Sequence, residues 1–144
     1  MMLDIITILI LIMLAGMFKG FMDALRFHYR ESFFRKFKNE QFWNPKISWV
    51  NKYNRILFDE GMKVPKFTGS TTYFVWLTDG FHLLQMIYLN LLFLASGVMF
   101  TTDFVLIGNK FISIIVVFFV LAILFKTVFE ITYGLSYSEK IYDE

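Results

Sequence analysis

The sequence predicts an all-α fold, a polytopic membrane bundle of three transmembrane helices with an interfacial helix and loop between the first two. Three observations carry the prediction. The chain is 57% apolar and 20% aromatic, with 19 Phe and a mean hydropathy of +0.57, yet only 18% of it is charged. Soluble domains lie near 45–50% apolar and about 25% charged. The apolar excess is gathered into three blocks, and a bilayer crossing needs roughly 20 such residues. Eleven of the 14 Lys and Arg residues fall between Lys19 and Lys66, leaving only Lys110, Lys126 and Lys140 elsewhere. The positive-inside rule places that basic connection in the cytoplasm.

Residues 2–22, MLDIITILILIMLAGMFKGFM, form the first span. A secretory signal would open on basic residues, whereas this block opens on Asp4 and its cations follow it. An uncleaved helix with its N-terminus outside is expected. Gly16 and Gly20 have the G-x-x-x-G spacing that lets another helix approach closely.

Residues 23–70 form the cytoplasmic-side connection. Its first part either continues the first helix or turns along the surface, with Phe27, Phe33, Phe34 and Phe37 alternating with Arg and Lys as headgroup-region residues do. Asn44-Pro45 ends that helix. Trp43, Trp49 and Tyr53 mix with Lys46, Lys52 and Arg55. Such interleaving can bind single-stranded nucleic acid, but beside membrane spans an aromatic belt with basic anchors is expected, and no nucleic acid partner. Gly61, Pro65 and Gly69 mark a loop, after which Ser70 or Thr71 is expected to cap the next helix.

The second span is expected over residues 72–100, with Gly80 as a bend. It is apolar, yet it carries Asp79, His82, Gln85 and Asn90. Asn90 is expected to join helices to one another. A short outer connection bearing Asp103 leads to the third span, residues 111–133, with Lys126 and Glu130 near its inner end. Residues 134–144 are a cytoplasmic tail. This topology is that of a multi-pass protein of the cytoplasmic (inner) membrane, with its N-terminus outside and its C-terminus inside.

The topology brings Asp23, His28 and Glu31, then Asp79, His82 and Gln85, then Lys126, Glu130 and Tyr133 to one membrane depth. Ionisable groups there are costly and mark functional sites. His28–Glu31 and Asp79–His82 are each three residues apart, so each pair shares a helix face. Together they offer two imidazoles and two carboxylates, a set suited to zinc, manganese or iron with a water at an open position. Asp23 lies about 140° round the helix from His28 and joins only if the backbone turns. Glu130 is a further ligand or base. Each pair can equally be read as a local hydrogen-bonded contact, with Lys126–Glu130 as an i,i+4 ion pair. Cysteine is absent, which excludes thiolate nucleophiles and Cys-ligated metals. Ser48 or Ser32 can be drawn into a triad with His28, but neither sits in a nucleophile-elbow sequence.

The words FWNP at Phe42–Pro45, SWVNKY at Ser48–Tyr53 and TDGFH at Thr78–His82, with Asp23 and His28-Tyr29 upstream, resemble a family of small, uncharacterised bacterial and phage integral membrane proteins. The resemblance covers about residues 20–85. It implies that Asp23, His28, Trp43, Asn44, Ser48, Trp49, Asn51, Lys52, Asp79 and His82 act as one unit, with the loop folded back as a lid.

The expected function is a polar, metal-binding site at the cytoplasmic interface, formed by His28, Glu31, Asp79 and His82. Its activity would be hydrolysis or transfer on a lipid-like or phosphorylated amphiphile. His82, His28 and Asp79 would be catalytic, and Asn51, Lys52 and Arg55 would hold an anionic headgroup. Two other classes stand beside it: a non-catalytic structural or assembly subunit or phage-encoded membrane factor docking on other membrane subunits, and a proton or ion pathway, which requires a homo-oligomer.

Overall fold

The computed structural model describes residues 2–102 and 108–137; Asp103 and the tail residues 138–144 lie outside the described residues. Helix α1 spans Met2–His28, and short 3-10 turns follow at Tyr29–Glu31 and Phe33–Lys36. Three one-turn helices come next: α2 (Glu40–Trp43), α3 (Pro45–Ser48) and α4 (Arg55–Asp59). Helix α5 spans Gly80–Thr101 and α6 spans Lys110–Tyr137. Among the described residues there is no strand, only an isolated bridge between Tyr53 and Pro65. Helices α1, α5 and α6 are each long and apolar enough to cross a membrane.

Side-chain caps set where the chain turns. A helix leaves its first N–H groups without partners, and Asn or Asp just before it supplies an acceptor. Asn39 caps α2 through Phe42 N, Asn44 caps α3 through Lys46 N, and Asn54 caps α4 through Ile56 N. Asp79 caps α5 and Asn109 caps α6. Pro45 occupies the first position of α3, where its missing N–H costs nothing.

Helix α1 lies between α5 and α6 and packs along both, while those two hardly touch each other. The glycine spacing in α1 is what admits α6. A methyl group on Gly16 would stand 2.7 Å from Phe125 O, and one on Gly20 would stand 2.9 Å from Phe129 O. The best-buried core gathers at the end of the bundle where α1 finishes and α5 begins. Met22, Leu25, Phe34 and Leu84 pack there, with Phe18, Phe21, Trp43 and Phe81 around them. Phe34 is therefore core rather than surface, stacked on Trp43 at 5.4 Å. The outward faces of α5 and α6 keep Phe93, Phe118 and Ile123 more than 60% exposed.

Three expectations are corrected. The second long helix begins at Gly80, not near residue 72, because residues 71–78 are turns around a short 3-10 segment and Asp79 closes the new helix. Ser70 caps no helix. Its hydroxyl donates to Lys52 O at 2.7 Å and accepts from Lys66 N, which ties the loop ends together. Asn90 is exposed and returns its amide to Met86 O in its own helix at 2.8 Å, so it joins nothing across the bundle.

Replacing Gly16 by Ile should destabilise the protein by about 1–3 kcal/mol, the usual cost of overpacking. Gly97→Ala and Gly134→Ala, whose new methyl groups meet nothing within 4 Å, should not lower stability. Thermal melts in one detergent check both outcomes.

Candidate functional site

The segment from α2 to Lys52 folds across the mouth of the bundle as a strap, and three contacts seat it. Gly80 has no Cβ, and the Trp43 ring occupies the space where one would stand. Gly80 is thus a seat for an aromatic ring at the first turn of α5, not a bend. Asn51 commits its whole amide: Nδ2 donates to Gln41 O at 2.7 Å and Thr78 O at 3.0 Å, and Oδ1 accepts from Gln41 Nε2 at 2.9 Å. Ser48 and Trp49 then line a 220 Å³ cavity together with Arg26, Asp79, Phe81 and His82.

Asp79 sits at the floor of this cavity, only 2% exposed. Its backbone is extended (φ −155°, ψ 157°), so it caps α5 rather than sharing a helical face with His82. Its Oδ1 accepts His82 N at 2.9 Å, and its Oδ2 lies 2.7 Å from His82 Nδ1. A carboxylate only accepts, so Nδ1 carries a hydrogen, and in the neutral ring Nε2 then keeps its lone pair. Among the described residues Nε2 has no hydrogen-bond partner, and 31% of the His82 side chain remains exposed. A buried carboxylate orienting an imidazole whose other nitrogen is free has the parts of a general base.

His28 serves a different purpose. Its Nε2 is 2.8 Å from the Tyr133 hydroxyl, its Nδ1 is 3.3 Å from Glu31 Oε2, and its ring stacks on Tyr137 at 4.3 Å. With both nitrogens engaged it clasps the end of α1 to the end of α6. Asp23 pairs with Lys19 one turn back, and Glu130 pairs with Lys126. The four-ligand metal set is therefore not assembled. Among the described residues no three His, Asp or Glu side chains come together as metal ligands. The physical reason is that each acid is engaged by its own neighbouring histidine, Glu31 by His28 Nδ1 and Asp79, which also caps α5, by His82 Nδ1.

The two pairs open into different cavities. His28 and Glu31 line a larger one of about 740 Å³, which shares Arg26 and Pro45 with the His82 cavity. Of the three residues expected to hold an anion, Asn51 is spent on the strap. Lys52 leans over Tyr53 and Arg55 is exposed on α4, and neither lines either cavity. The sequence reading did not single out Arg26, whose guanidinium rests on Phe27 and Phe81 at the border of both. Its signal was available: an Arg two residues before His28, at the C-terminal end of a long apolar helix. Compared with family models, curated proteins and solved structures, the chain matches none of them.

Asn51→Ala should free the strap while leaving the long helices intact, at a cost of about 1–3 kcal/mol for the carbonyl and amide groups left unpaired. Hydrogen exchange should quicken at residues 41–53 and 71–79, with the central amides of α5 and α6 unchanged.

Proposed function

We propose that this is a small integral membrane protein, inserted through α1, α5 and α6, whose Asp79–His82 pair acts as a general base at the membrane interface. The reaction class is hydrolysis or group transfer on an amphiphile that presents an ester or phosphoester to the strap end. The carrying observation is the grip of buried Asp79 on His82 Nδ1 at the wall of a cavity. The long apolar helices with exposed Phe faces support insertion, since lipid takes the place of a protein core around them. The concentration of cations in and beside the strap supports a cytoplasmic position for that end.

In this mechanism His82 Nε2 accepts a proton from water or a substrate hydroxyl as that oxygen attacks the ester carbon or phosphorus. The bond to the leaving oxygen breaks, and Nε2 returns the proton to it. Asp79 holds the ring in the productive tautomer and stabilises the imidazolium while it lasts. Among the described residues no hydrogen bond joins Ser48 to His82, so attack by an incoming hydroxyl is favoured over a seryl intermediate.

The test is turnover of fluorogenic long-chain esters and phosphoesters by the protein in lipid nanodiscs. His82→Gln should lower kcat by about 10²–10⁴-fold, the usual contribution of a positioned base. Asp79→Asn should retain the α5 cap, because Asn caps as well as Asp does. Its amide can donate to Nδ1, which forces the other tautomer, so activity should fall with little change in melting temperature. His28→Gln should keep turnover. Equal rates for wild type and His82→Gln, or no turnover of any member of the panel, would sink the reading.

A further inference from the structure

We propose that the larger cavity is a binding site for a phosphate-bearing anion at the membrane surface, held by Arg26, Arg30, Arg35 and Lys46. Its volume of about 740 Å³ is that of a small-molecule pocket. The four cations come from separate pieces of chain: the last turn of α1, the two turns after it, and the first turn of α3. Each lines the cavity, and among the described residues none of them makes an ion pair. The two carboxylates on the same wall are already engaged, Glu31 by His28 Nδ1 and Glu40 by Asn44 Nδ2 at 2.8 Å.

Guanidinium groups present paired donors that match the oxygens of a phosphate, and like charges held around one cavity call for a partner with net negative charge. Phe27 in the cavity wall is 64% exposed, and Trp49, in the wall of the adjoining smaller cavity, is 44% exposed. That apolar flank suits the acyl part of a lipid whose phosphate sits among the arginines. The same chemistry would take a free phosphate, and the two sources are separable. The inference deepens the reading of the His82 site, because Arg26 and Pro45 border both cavities. It names the headgroup that would bring an ester to His82.

The experiment measures lipid retention, without turnover. The full chain in detergent is offered mixed micelles of phosphatidylglycerol or phosphatidylcholine, and bound lipid is counted by native mass spectrometry. Phosphatidylglycerol should be retained and phosphatidylcholine lost. Arg30→Gln/Arg35→Gln should weaken retention about thirtyfold and Lys46→Gln about fivefold, given what each surface cation contributes toward an anionic headgroup. All these residues are exposed, and unchanged elution and melting confirm folding. The control Lys63→Gln/Lys66→Gln removes two cations that line neither cavity and should change nothing. Displacement by inorganic phosphate at comparable concentration would keep the anion site and assign it to free phosphate. Retention by Arg30→Gln/Arg35→Gln equal to wild type would overturn the site. An equal loss in the Lys63/Lys66 control would reduce it to diffuse attraction and overturn it as well. Protein that retains lipid but has no activity refutes only the His82 reading, and active protein without retention refutes only this one.

Discussion

The arrangement depends on one carboxylate at the start of α5. A helix that begins buried, as α5 does at Asp79 and Gly80, has N–H groups that water does not reach, and an unsatisfied one is expensive. Asp79 meets that need through His82 N, and in doing so fixes Gly80 as the first helical residue. The preceding chain must then leave as a turn, which delivers Thr78 O to Asn51 and the bare face of Gly80 to Trp43. The strap, the aromatic core beneath it and the cavity beside it all follow from where that helix starts.

The same carboxylate performs a second task, and this is how structure and chemistry are joined. The half-buried His82 ring satisfies the buried Asp79 carboxylate, which removes the penalty of hiding that carboxylate alone. Because the backbone takes one side of Asp79 and the imidazole the other, His82 is left with one free nitrogen and one orientation. His28 sits at a similar depth yet is closed on both sides by Glu31 and Tyr133. Two histidines three residues from an acid thus end differently, one with Nε2 free of any partner among the described residues and one clasped on both sides, and the difference lies in their second partner. Arg26 lines both cavities and stands between them.

Much of this was legible from the residues. The three long helices follow from apolar blocks, and the close crossing of α1 on α6 follows from Gly16 and Gly20. The gathering of polar groups at one end followed from counting cations and spans. What the sequence concealed was where α5 begins. Residues 72–77 are as apolar as a span, and hydropathy does not register that Asp79 can accept its own helix's N–H. An Asp79 read as already helical shares a face with His82; as the cap it meets the same imidazole from the residue before the helix. Glu31 does meet His28 as the three-residue spacing suggests, although α1 stops at His28 and the acid reaches back from the 3-10 turn that follows. Asn51 resembled a headgroup donor because its real partners, Gln41 and Thr78, lie 10 and 27 residues away in sequence. The caps at Asn39, Asn44 and Asn54 were readable in principle, but each opens a helix of only four or five residues, too short for an apolar period to reveal.

The central claim is that Asp79 fixes the His82 tautomer and frees Nε2. The most direct measurement is the ¹⁵N spectrum of the His82 ring, from protein with labelled histidine in detergent, assigned with a His28→Gln variant. The account predicts a protonated Nδ1 and a bare Nε2 at pH values where the ring is neutral, reversing in Asp79→Asn. A ring protonated on Nε2 in the wild type, or one whose pattern is indifferent to Asp79→Asn, would contradict it.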